Sequence, residues 1–238
     1  MTCFSLVRKD SISARRPLVR ATLLLGTSAG LAGTAVGKSD PTPAQTEGPF
    51  YPDLDNDLTF VSSRKKRAKG SHLYVHGTVR DTEGKPIANA LIDIWQTDHK
   101  GIYDHAGDPN QKKKDKNFQS YGRFVTGKDG TYLFKSIKPR HYGDENFQRT
   151  PHIHYKVARR GYHELTTQLY FAGEKLNAKD PLYNKLSAED QKLVTVVFQP
   201  VAQADQQLQS KLKEAFSESE WPKGITVGQF DLVMKPVF

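Results

Sequence analysis

Apolar and polar positions alternate with a strand's period of two along Leu73-Tyr74-Val75-His76-Gly77-Thr78-Val79, which predicts a half-buried β-strand. Turn formers from Asp81 to Pro86 follow, and Ala90-Leu91-Ile92-Asp93-Ile94-Trp95 reads as the next strand. The same pattern of short runs, rich in β-branched and aromatic residues and bounded by Gly, Pro or Asp, predicts strands at 122–126, 130–134, 152–158, 165–171, 193–198 and 228–234. One helix is predicted over 203–216, where Leu208, Leu212 and Phe216 recur four apart on one face. Many short strands and one helix predict an all-β chain, an antiparallel β-sandwich with long active-site loops and one short C-terminal helix. Segment 99–121 is longer than an ordinary connector and reads as a functional loop.

The N-terminal segment follows a different pattern. Residues 13–20 are basic, Thr22 to Val36 form a short apolar run rich in Gly, Ala and Leu, and the small residues Gly33 and Ala35 suit a cleavage point. The run is too short and glycine-rich to span a bilayer, so 1–37 is expected to be an export signal. The paired Arg15-Arg16 gives it the look of a twin-arginine signal, with an ordinary secretory signal as the alternative. Twin-arginine export machinery carries folded, cofactor-loaded proteins, so a periplasmic or secreted metalloprotein fits this address. The expected organisation is the signal, a polar proline-punctuated arm over 38–70, and one domain over 71–238.

Removing the signal's five basic residues and one acidic residue lowers the formal charge from +9 to +5. The remaining basic residues, the Lys112-Lys113-Lys114 run among them, are not interleaved with aromatics and match no nucleic-acid motif, so a solvated face is expected. The one cysteine, Cys3, lies inside the signal, leaving the mature part with neither disulfides nor thiolate ligands. Gly26-Thr27-Ser28-Ala29-Gly30 matches a hydrolase elbow only by chance, because it sits in the signal's apolar run.

The segment richest in chemistry is Arg149-Thr150-Pro151-His152-Ile153-His154. On a strand, residues two apart share a face, so His152 and His154 present two imidazoles side by side while Ile153 faces the other way, into a core. Paired imidazoles suit iron, copper, zinc or nickel, yet two such histidines can equally be surface or core residues. Strand 149–158 holds no carboxylate to complete a 2-His-1-carboxylate site. Tyrosines in loops are available instead, Tyr103 after the Trp95 strand and Tyr142 ten residues before His152. A phenolate is a hard donor, and two of them with two imidazoles would favour iron(III). With ten tyrosines in the chain, either could also be ordinary packing.

Taken together, the motifs Thr46-Glu47-Gly48-Pro49-Phe50-Tyr51, Trp95-Gln96-Thr97-Asp98, Gly101-Ile102-Tyr103, Asp129 through Pro139, Tyr142, Arg149 to His154 and Leu165 to Phe171 resemble the intradiol ring-cleavage dioxygenases. The likeness covers about 45–235 and leans towards the protocatechuate 3,4-dioxygenase branch. It implies a small catecholic substrate and O2, cleavage to a cis,cis-muconate-type diacid in aromatic catabolism, and an Fe(3+) cofactor held by Tyr103, Tyr142, His152 and His154. It further implies that Tyr142 leaves the metal when substrate binds, that Arg149 stabilises charge on the ring, that Gln168 lies near the ring and that Trp95 lines the pocket. A single chain with the full ligand set is expected to work as a homo-oligomer. One departure stands out. Asp144 occupies the position two past Tyr142 where the protocatechuate enzymes carry tryptophan. The Val75–Trp95 hairpin also resembles transthyretin- or prealbumin-like domains, which leaves two alternatives: a non-catalytic β-sandwich binding module, or a zinc or copper enzyme on the histidine pair.

Overall fold

The structure, a computed structural model, describes residues 40–45, 56–144 and 147–237. The expected export signal at 1–37 and the Thr46–Tyr51 cluster lie outside the described residues. In chain order the strands are β1 (His72–Asp81), β2 (Leu91–Trp95), β3 (Tyr121–Val125), β4 (Thr131–Ile137), β5 (Tyr142–Gly143), β6 (Gln148–Arg149), β7 (His152–Ala158), β8 (Leu165–Phe171), β9 (Thr195–Val196), β10 (Phe198–Pro200), β11 (Thr226–Gln229) and β12 (Leu232–Met234). The helices are α1 (Ala188–Val194) and α2 (Gln206–Phe216), with short 3-10 turns at Lys175–Lys179 and Tyr183–Lys185 among the connections.

Two five-stranded sheets form the body. One runs β10-β11-β1-β12 with β4 on β1, and the other runs β3-β2-β7-β8-β9. Their facing residues share one hydrophobic cluster. Leu73, Val75 and Val79 of β1 and Phe134 of β4 meet Ile92 and Ile94 of β2, Ile153, Tyr155 and Val157 of β7, and Leu169 of β8. This is the period-two pattern of the sequence made into a core, since alternate side chains of each strand point to it.

The expectation of a wholly antiparallel arrangement is corrected. β1 pairs with β11 and with β12 in parallel, and β8 pairs with β9 in parallel. Parallel neighbours need a crossover. For β8 and β9 it is the 172–194 connection, two 3-10 turns and α1. The predicted strand 228–234 is two strands, β11 and β12, on one register along β1, interrupted at Phe230–Asp231. At the break the Asp231 carboxylate accepts from Thr78 N (2.8 Å) and the Tyr132 hydroxyl donates to the Phe230 carbonyl (2.5 Å), so side chains replace the lost ladder bonds.

The single predicted helix is also corrected, because α1 occupies the start of predicted strand 193–198. Ser187 caps α1 by accepting from Asp190 N (3.0 Å), and only Val194 of the helix is buried. A seven-residue helix with one buried residue leaves little periodicity to read. α2 begins later than predicted, after Asp205, whose side chain accepts from Leu208 N (2.8 Å). It ends at Ser217 in the left-handed region (φ 51°), and buries Leu212 in a second cluster with Tyr74, Ile225 and Val227. Among the described residues no helix is long and apolar enough to cross a membrane.

Candidate metal centre

Strand register builds the centre on the outer face of the second sheet. Trp95 of β2 stands opposite Tyr121 of β3 on one side and His154 of β7 on the other, and His154 stands opposite Gln168 of β8. In the neighbouring row His152 faces Tyr170. Ile153 turns inward and is fully buried in the core, so β7 separates a packing face from a polar face as its alternation requires. Both histidines are nonetheless buried, because loops cover them.

The loop after β2 brings Tyr103 over the histidine pair. Asp98, itself fully buried, organises that loop: its side chain accepts from Lys100 N (2.8 Å), Ile102 N (3.1 Å) and Asp115 N (2.7 Å). Gly101 has φ +84°, and a Cβ there would run into the His141 carbonyl oxygen, so glycine is needed where the Tyr103 loop passes against the Tyr142 loop. Asp108 accepts from Tyr103 N (2.9 Å) and fixes the backbone that carries the phenol. Tyr142 sits on β5, which pairs with β6 so that Tyr142 lies opposite Arg149. Gly143 (φ +106°) opens this narrow hairpin, and Asp144 closes it by accepting from Phe147 N (3.0 Å).

Three donor atoms converge. Tyr103 Oη lies 3.0 Å from His154 Nε2 and 3.3 Å from His152 Nε2, and the two Nε2 atoms are 3.1 Å apart. The Tyr142 ring completes the group, edge-on to Tyr103 (centroids 5.2 Å) and tilted against His152 (5.8 Å). Unlike the other three it is half-buried, and it borders an open cleft of about 690 Å³ shared with Lys100, Arg140 and Asp144. Ligands ~2.1 Å from one ion at tetrahedral to octahedral angles stand ~3.0–3.4 Å from one another, which is the spacing seen here.

The tautomers fit the same reading. His152 Nδ1 is 2.6 Å from the Thr150 carbonyl and donates to it, leaving Nε2 as a lone pair. Trp95 stacks on His154 within 2° of parallel at 4.9 Å and holds that ring's plane. Burial, reinforced by the Arg149 charge, pushes His152 down to about 3, and burial followed by the charges of His152 and Arg149 drives His154 well below its ordinary 6.5. Two neutral imidazoles and a phenol with their donor atoms turned on one another make a site suited to a cation. Among the described residues no group of three His, Cys, Asp or Glu could hold a metal, and Tyr103 Oη is the protein donor that stands beside the two imidazoles.

Arg149 is buried beside these donors. Its Nε donates to Asp180 (2.9 Å) and its NH2 to Gln168 Oε1 (2.6 Å). Burial opposes its charge, but Asp180 and then Tyr142 more than offset this and hold it above its ordinary value. Tyr170 lies 3.0 Å from Gln168 Oε1 and 2.8 Å from Gln45 Oε1, and its buried phenol is raised above its usual range, by burial first. The structure thus brings Trp95, Tyr103, Tyr142, Arg149, His152, His154 and Gln168 into one neighbourhood. Sequence reasoning gave no role to Asp98 or Tyr170, which stand in quoted motifs, and did not single out Asp180 or Gln45. Of these only Asp180-Pro181 carries a local signal, since an Asp before Pro marks a turn.

Among known proteins, the family described as Dioxygenase matches residues 46–236. The chain is 37% identical over 134 residues to the protocatechuate 3,4-dioxygenase beta chain of Burkholderia cepacia, across 55% of this chain and 57% of that one. Its fold is similar to the dioxygenase domain of a dioxygenase–carbohydrate-binding fusion from Streptomyces sp. SirexAA-E (29% identity, TM-score 0.57, covering 83% of this chain and 100% of that one). It is also similar to catechol 1,2-dioxygenase from Acinetobacter sp. ADP1 (25% identity, TM-score 0.62, covering 84% and 64%). The chain therefore spans a little over half the length of the curated relatives it matches.

Proposed function

This chain belongs to the intradiol ring-cleavage dioxygenase family, and from that premise we propose that its site opens a catechol-type ring with O2 and Fe(III), giving a cis,cis-muconate-type diacid in aromatic catabolism. The observation that carries this reading is the convergence of Tyr103 Oη, His152 Nε2 and His154 Nε2 within 3.0–3.3 Å of one another. Those three residues and Tyr142 would hold the ion, two phenolates and two neutral imidazoles. When bound, the ion supplies Lewis acidity that favours the deprotonated catechol and a template for ring and oxygen.

The remaining work belongs to side chains of this chain. Tyr142, half-buried at the cleft, would be the donor that gives way when a catechol binds, and its Oη would take up a proton from a catechol hydroxyl. The Arg149 guanidinium, always charged and held in place, stabilises negative charge that develops on the ring. Gln168, bonded to Arg149, would lie near the substrate ring, and Trp95, stacked on His154, would back the pocket by keeping that imidazole in plane. Buried neutral histidines keep water and protons from competing at Nε2. On the same reading residues 1–37 direct twin-arginine export to the periplasm or beyond, and the mature chain works as a homo-oligomer.

The likeness to a protocatechuate 3,4-dioxygenase chain and to catechol 1,2-dioxygenase defines the substrates to try. Iron-loaded protein is tested for oxygen uptake with catechol, protocatechuate, hydroxyquinol and chlorinated catechols, and the products are identified by mass spectrometry. Uptake with a ring-opened diacid from one of them is expected. Iron-loaded protein that consumes no oxygen with any of them contradicts the reading.

A further inference from the structure

Asp180 is fully buried, and each of its carboxylate oxygens accepts two N–H bonds. Oδ2 takes Arg149 Nε (2.9 Å) and Thr150 N (2.8 Å), while Oδ1 takes Leu182 N and Tyr183 N (2.9 Å each). A carboxylate has about four lone-pair positions, and here all four are used. The turn that carries it is tied to the same place twice more: the Thr150 hydroxyl donates to Asn177 Oδ1 (2.8 Å), and the Tyr183 ring packs edge-on against Tyr170 (4.9 Å).

We propose that Asp180 is a positioning residue that sets both the Arg149 guanidinium and, through Thr150, the His152 imidazole. The proposal rests on the functional reading above, and it deepens that reading by naming what orients the charge-stabilising arginine. Arg149 is buried, so with Nε held by Asp180 and Nη2 by Gln168 its plane is set by bonds from two of its three nitrogens. Thr150 N is fixed by the same oxygen, and the Thr150 carbonyl takes the His152 Nδ1 proton (2.6 Å) that leaves Nε2 free. One carboxylate therefore links the anion-stabilising group to a metal-facing ring, much as partners behind metal ligands set their orientation.

Asp180→Asn is the informative change. The side chain keeps its volume but loses its charge, so whichever pair of N–H donors its amide nitrogen faces, the buried Arg149 guanidinium loses its anionic partner. If Asp180 acts through Arg149, kcat for ring cleavage falls by about tenfold or more while KM stays within about threefold, because the loss lies in charge that develops during reaction. In an Arg149→Gln background the same change should cost clearly less in kcat, since only the route through Thr150 and His152 remains. Equal losses in both backgrounds would overturn the proposal. A crystal structure of the full-chain Asp180→Asn protein supplies a readout independent of activity: Arg149 should leave Gln168 or take several conformers. An Arg149 unmoved in that variant overturns the proposal even if the wild-type protein proves to cleave no catechol, whereas a displaced Arg149 in an inactive protein refutes the functional reading alone.

Discussion

At the scale of single residues, the site divides by how each side chain gets there. His152 and His154 follow from the alternation of one strand, and Ile153 between them is in the core, as that alternation demands. Tyr103→Phe keeps the buried ring and removes the oxygen that lies 3.0 Å from His154 Nε2. The iron-loaded variant should lose or shift its visible absorption and lose turnover by about a hundredfold or more, since even groups behind a metal ligand are worth 10–100-fold. Absorption spectroscopy and oxygen uptake check this, and an unchanged spectrum would assign the phenolate elsewhere. His154→Ala should lower bound iron per chain, measured by elemental analysis, because it removes one of the converging lone pairs. Tyr103 and Tyr142 were legible only through family resemblance, since nothing local separates them from the other eight tyrosines. Asp98 and Asp180 were not legible as site residues. A buried carboxylate is recognised by the N–H groups brought to it from other segments, and those meet only in the folded chain.

At the scale of elements, the long strands with strict alternation were read well, β7 and β8 over the same residues the fold uses. The short elements were not. β5 and β6 have two residues each, too few to show a period, yet they bring Tyr142 opposite Arg149. The parallel neighbours of β1 and β8 come from crossovers, which a pattern along one strand does not record. Gly101→Ala should disturb the site without touching a donor. Its φ of +84° disfavours any side chain, and a Cβ meets the His141 carbonyl, so the Tyr103 and Tyr142 loops must separate. Lower turnover with a lower thermal midpoint is expected, and full activity would show that the two loops need not touch. Away from the site, Leu212→Ala should destabilise the fold by roughly 2–5 kcal/mol, because it empties a fully buried position under α2, with activity per folded molecule unchanged. Denaturant unfolding and assay of the folded fraction test both halves.

At the scale of the whole molecule, two sheets share a core while the outer face of one carries the Tyr103, His152 and His154 donor cluster, so stability and the proposed site meet at the buried histidines. Both lie below their ordinary 6.5 in the folded state, His152 at about 3, so below pH 6.5 the unfolded chain binds protons there that the folded chain does not. The stability of the metal-free protein should therefore be intact above pH 6.5 and fall as the pH drops from 6.5 towards 3. Urea unfolding at about pH 7 and about pH 5 measures the change, and His152→Asn should reduce it, leaving the part due to His154. A metal-free protein equally stable at both values would show that these rings are not buried neutral.

The central claim is that the fold brings Tyr103 and Tyr142 to the same Fe(III) ion as His152 and His154. The visible spectrum of the protein loaded with one equivalent of ferric iron tests it most directly. The account expects a red to burgundy tyrosinate-to-iron charge-transfer band that weakens in Tyr103→Phe. A colourless protein with one iron firmly bound per chain would contradict it.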